Sequence, residues 1–168
     1  MRQLLILLFC SSCMFLSGCP VERVVTPYSS YEPILADRSS LNSISYSSSK
    51  PIIKTGKIYA YKKYIFINEP DKGYHVIDNS DPSKPSAVGY IAIVGSHDIA
   101  IQNDILYTDN ATDLLSIDIT DVTKPRLVRR TINIFPDQAP PDNLPLPDEY
   151  SAKYRPANTI VVEWRKRK

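Results

Sequence analysis

The chain has 168 residues, with twenty Lys and Arg against eighteen Asp and Glu, and only two histidines, three cysteines and five glycines. A formal charge of +2 is too small to make an electrostatic case for nucleic-acid binding. So few glycines argue against tight cofactor-cradling loops, and no G-x-S-x-G nucleophile turn or phosphate-binding glycine loop occurs.

Residues 1–18 read as a targeting segment. Met1-Arg2-Gln3 is a short basic start, and Leu4 to Leu16 is an apolar run interrupted by Ser11 and Ser12. That run is short of the roughly 20 residues a membrane span needs. Leu16-Ser17-Gly18-Cys19 has the small residues of a bacterial lipobox, which makes Cys19 the expected lipidation (palmitate) site and mature N-terminus. Cys10 and Cys13 fall in the discarded part, so no internal disulfide or cysteine metal site is expected.

Residues 19–50 are rich in Ser, with Tyr28-Ser29-Ser30-Tyr31 and Ser45-Tyr46-Ser47-Ser48-Ser49, and carry no sustained helical or strand period. They read as a tether that buries too little apolar surface to offset its ordering entropy, with at most a short helix near Tyr31 to Leu41.

Residues 51–134 contain one unit written twice. Ile77-Asp78-Asn79-Ser80-Asp81-Pro82-Ser83-Lys84-Pro85 recurs as Ile117-Asp118-Ile119-Thr120-Asp121-Val122-Thr123-Lys124-Pro125. A period of about forty residues with strand-like runs inside it is the spacing of a four-stranded propeller blade. The predicted strands of the first unit are 57–62, 64–67, 74–79 and 87–94. Those of the second are 98–102, 105–108, 114–119 and 127–134. A gap-free alignment makes Ile65, Ile77, Ile105 and Ile117 the shared buried aliphatic positions. The fold class expected is therefore all-β: a propeller-like repeat of antiparallel blades, incomplete at about two.

Prolines crowd residues 135–158 and exclude helix interior and central strand alike. Thr159 to Trp164 reads as a last strand, a candidate cover for an outer blade face because the proline-rich loop is long enough to carry it back across an edge. Arg165-Lys166-Arg167-Lys168 reads as a solvated basic tail.

Candidate chemistry is thin. Asp78, Asp81, Asp118 and Asp121 sit at loop spacing but lack the alternating oxygens, central Gly and distal Glu of a calcium loop, so they read as turn carboxylates. His75 reads as a strand histidine, His97 as one whose neighbour Asp98 points to the opposite strand face and whose loss costs little, and the pair supplies no zinc site. Tyr59, Tyr61, Tyr64, Tyr74, Tyr90 and Tyr107 offer an aromatic face or simply good strand formers. No catalytic, cofactor-binding or metal residue is assigned, and no enzyme is expected.

The strand from Gly73 to Asp78, the corner Asp81 to Pro85 and their copy at Leu114 to Pro125 resemble the LVIVD-repeat lipoproteins of Bacteroidetes-type bacteria, in a short two-repeat form. The runs Thr55 to Tyr59 and Tyr64 to Glu69 share the likeness. The resemblance implies a propeller-like β fold on a lipid anchor, without an established activity. The functional expectation is a lipid-anchored binding module of the cell envelope, at the outer membrane facing the periplasm, since Pro20-Val21-Glu22-Arg23 carries no acidic run. Its partners would be the membrane through the lipid, and an envelope protein or a second copy. The alternatives are a truncated product of a longer propeller lipoprotein, or a glycan-binding or glycan-processing domain with its site on the blade rim.

Overall fold

The computed structural model describes residues 27–168, so the leader and Cys19 lie outside the described residues. Eleven strands form three antiparallel sheets, and no α-helix occurs among the described residues.

Blade one is built from β3 (Ile58–Tyr61), β4 (Tyr64–Glu69), β5 (Gly73–Asp78) and β6 (Ser86–Ile93), with β2 (Ile44–Ser47) added outside β6. Blade two is β7 (Ile99–Gln102), β8 (Ile105–Asn110), β9 (Asp113–Asp118) and β10 (Arg126–Thr131). The order along each blade is that of the chain, as expected for a meander. The chain is all-β and propeller-like, and the repeat is visible in its turns. Lys62 and Asn103 open the β3–β4 and β7–β8 turns at the same left-handed φ of 52°.

The two blades stack face to face. Phe66, Tyr74, Val76, Ile91 and Ile93 of blade one meet Ile99, Ile101, Leu106, Leu115 and Ile117 of blade two in one core. Burial of these side chains, at about 25 cal/mol per Å² of apolar surface, is what holds the pair together. Tyrosines seam the junction. Tyr74 donates to the Asp98 carbonyl at 2.8 Å and shares a 2.6 Å bond with the Thr108 hydroxyl. Tyr61 Oη accepts from Asp104 N–H at 3.0 Å, and the Lys62 ammonium reaches the Asp104 carboxylate at 2.7 Å.

The third sheet joins distant parts of the chain. β1 (Tyr31–Asp37) pairs antiparallel with β11 (Thr159–Lys166), making a two-stranded clasp. Ile160 and Val162 of β11 pack with Leu41, the Ala111 turn and Val94, at the end of the blades where the linker between them passes. The clasp is fixed by Asp113. Its carboxylate, 2% exposed, takes Arg38 at 2.5 Å and Arg130 at 2.9 Å, and accepts from Asn133 N–H at 3.1 Å.

Three sequence expectations are corrected. Residues 31–47 are not part of a tether: they form β1, a 3-10 turn at Arg38–Asn42, and β2. Their serines point away while Ile34, Leu41, Ile44 and Tyr46 pack inward, and the pairing partners β11 and β6 lie far off in sequence. β11 does not cross a blade face; it pairs with β1, and Arg165 and Lys166 continue the strand instead of forming a free tail. Arg165 is engaged by Glu32 at 2.7 Å.

The third concerns the isoleucines. Ile117 is fully buried, but Ile65, Ile77 and Ile105 are partly exposed. The β4–β5 connection has three residues, between Glu69 and Gly73, whereas β8–β9 turns in two, between Asn110 and Asp113. The gap-free alignment therefore slips by one residue on β8. In the fold, Ile65 paired with Ile77 corresponds to Leu106 paired with Ile117. A slip of one exchanges the two faces of a strand.

Candidate functional site: the blade junction and the two outer faces

Each blade has two faces, and only one of each is used in the junction. On blade two, Ile99, Ile101, Leu106 and Ile117 face blade one and are at most 7% exposed. The corresponding positions of blade one, Ile58, Ala60, Ile65 and Ile77, lie on its outer face. No strand among the described residues covers them, and Ile58 is 64% exposed. The apolar row that docks blade two onto blade one is thus repeated on blade one and left open.

One half of that outer face is polar and closed. His75 is 3% exposed in its side chain, with Nε2 3.2 Å from the Glu69 carboxylate, and packs edge-on to Tyr90 at 4.8 Å. Lys50 bonds Glu69 at 3.1 Å and lies 3.7 Å over the Tyr90 ring. Burial, which would raise the Glu69 pKa, is outweighed by Lys50 and His75, and the carboxyl titrates below its usual range. His75 is therefore a satisfied strand histidine.

The outer face of blade two is hollow. A cleft of about 760 Å³ lies between β7–β9 and the segment Phe135–Ala139, which is held by the bond from Phe135 N–H to the Thr112 carbonyl. Its walls are mainly apolar, with Ala100, Tyr107, Leu114 and Phe135 on them. The hollow has a simple origin. Tyr59 and Tyr61 of blade one correspond to Ala100 and Gln102 of blade two, while Phe66 keeps a ring as Tyr107, so the ring that fills the junction at Tyr59 is missing from the cleft wall at Ala100.

His97 sits where the linker between the blades meets this cleft. Its Nε2 lies 2.6 Å from Asp71 of the β4–β5 turn, and its Nδ1 3.0 Å from Asp109 of β8. The Asp71 contact is an ion pair without the alignment of a hydrogen bond. Burial alone would lower the imidazole pKa, but Asp109 and Asp71 outweigh it and raise it to about 9. Asp109 also accepts the backbone N–H groups of His97 and Asp98 at 2.8 Å each. A cationic imidazole thus ties blade one to blade two. Gln138, on the cleft wall, also lies close to the ring, its amide 3.1 Å from Nδ1. The expectation that His97 is expendable is corrected by these contacts, which residue spacing does not reveal because Asp71 and Asp109 come from different blades.

The acidic corners behave as turns. Asp81 accepts from Ser83 N–H and Oγ–H at 2.9 and 2.7 Å, and Asp121 accepts from Thr123 in the same way. The tyrosines do not make one aromatic surface. Tyr59, Tyr61 and Tyr74 belong to the junction, Tyr90 is buried, and Tyr107 stands on the cleft wall.

Residues 54–92 match the family model of the LVIVD repeat, a span from just before β3 into β6. No curated protein and no solved structure matches the chain.

Proposed function

We propose that this β-repeat chain is a cell-envelope binding module of the LVIVD-lipoprotein type, anchored by a lipid on Cys19 and acting by association, not by chemistry. The observation that carries the reading is the open outer face of blade one. It repeats the Ile-rich row that makes the blade–blade junction, and it ends at a side chain as exposed as Ile58. An apolar sheet face built to dock and left unpartnered is the mark of an association surface. The motif Leu16-Ser17-Gly18-Cys19 supports the anchor. The periplasmic side of an outer membrane is the setting that suits it, since no acidic run follows Cys19.

Two variants of the full chain test the reading in a bacterial host. Cys19→Ser should move the chain out of the membrane fraction or leave it unprocessed. Ile58→Glu should leave membrane attachment and the circular dichroism spectrum unchanged while reducing the size of the detergent-extracted species. A Cys19→Ser chain that stays in the membrane at its original mass defeats the anchor. An Ile58→Glu chain that sediments like the parent defeats the association surface.

A further inference from the structure

We propose that the open face of blade one is filled by blade two of a second copy of this chain, head to tail, so that two chains supply the four blades of a small closed propeller. The inference rests on the association reading above and names the partner.

The internal junction shows how one blade receives the next. The aromatic side of blade one, centred on Phe66 paired with Val76, accepts the aliphatic side of blade two, centred on Leu106 paired with Ile117. Blade two carries the aliphatic side in the junction and, on its outer face, the positions of the aromatic side with Ala100 and Gln102 in place of Tyr59 and Tyr61. Within one chain, that leaves the β3–β4 half of an aliphatic side open on blade one and the cleft beside Phe135–Ala139 open on blade two, so a part of each half of a further junction is present on the same molecule. The two are not copies of one patch. Their pairing is therefore heterologous, which gives a ring when the rotation closes and a filament when it does not. Propellers close from about four blades upward, which two chains provide.

The shapes fit that pairing. Blade two's outer side is a cleft where Ala100 stands in place of blade one's Tyr59, and its walls are mainly apolar. Blade one's outer side offers Ile58 on its inner edge strand β3, whose internal counterpart Ile99 is 6% exposed. One element of the internal junction has no equivalent in the new one. Lys62 and Asp104 clamp the two blades of one chain, and the corresponding residues across the intermolecular junction are Asn103 and Lys63. The contact between chains therefore lacks that ion pair and is the weaker of the two junctions.

The test uses the full chain in its membrane. Ile58→Cys and Tyr107→Cys are placed on separate chains with different tags, co-expressed and treated with a flexible bis-maleimide. The chain with Cys10, Cys13 and Cys19 as its only thiols serves as background. The expected result is a mixed-tag dimer that is lost when Ile58→Cys is paired with a cysteine at Ala157, in the loop before β11. The mass of the detergent-extracted chain should equal two copies and fall to one with Ile58→Glu. If Ile58→Cys links instead to a different polypeptide and no mixed-tag dimer forms, the second copy is overturned while the association surface stands. If Ile58→Cys links to nothing and the extracted mass is that of one chain, both readings fail.

Discussion

Replacing His97 by Gln should remove a pH-dependent part of the stability of the blade junction. The folded imidazole titrates at about 9 instead of the ordinary 6.5. A pKa raised on folding stabilises fully below the unfolded value, and the gain disappears as pH rises through the folded one. For His97 the window is therefore pH 6.5 to about 9. At about 1.4 kcal/mol per tenfold change in proton affinity, that shift corresponds to about 3 kcal/mol. The ring is 37% exposed, so solvent screening reduces the usable part to about 1–2 kcal/mol. Urea unfolding of a chain starting at residue 20 would measure this at pH 6, 7.5 and 9.5. The parent should lose about 1–2 kcal/mol relative to His97→Gln between the first and last of these, a midpoint shift of up to about 1 M. The difference between the two proteins cancels the titration of groups they share. Parallel profiles for parent and variant would refute the argument that a charged imidazole joins Asp71 to Asp109.

Leu106→Ala and Ile117→Ala, both at fully buried positions, should each cost about 2–5 kcal/mol, whereas the partly exposed Ile65→Ala and Ile77→Ala should cost clearly less in a monomer; chemical denaturation of the four variants separates the two rows. Asp113→Ala should cost about 3–5 kcal/mol, because Arg130, with its side chain only 15% exposed, would be left without a counter-charge. The same variant should loosen the clasp, seen as faster amide hydrogen exchange in β1 and β11 before the blades open.

The blades were legible because their signals are local. Alternation, turn residues and the Asp-x-x-Lys-Pro corner all act within a few positions, so strands and corners fall close to where residue pattern puts them. The facing of those strands was less legible. A single residue of difference between the turns at Pro70–Lys72 and Ala111–Thr112 exchanges inside for outside, and no periodicity within one strand reports it. The clasp was not legible at all. Tyr31–Asp37 has little strand pattern of its own and is ordered by β11, and a pairing so remote leaves no trace in a local window. His97 was hidden for the same reason, since its two carboxylates become neighbours only when the blades stack.

The clasp also sets the order in which the molecule can be finished. Glu32 and Arg165, joined across β1 and β11, are 133 positions apart, while nearly every other strand pair is a neighbour in sequence. During synthesis or export the chain emerges from its N-terminal end, so β1 waits without its partner until β11 is available. The blades close through short loops and cost little chain entropy, but the clasp must close a loop that encloses both of them. A nascent or stalled chain can therefore hold both blades and still expose β1, with Arg38 unable to settle against Asp113 in its finished geometry. Closure of the clasp therefore follows both blades, because β11 is the last of the described strands to emerge.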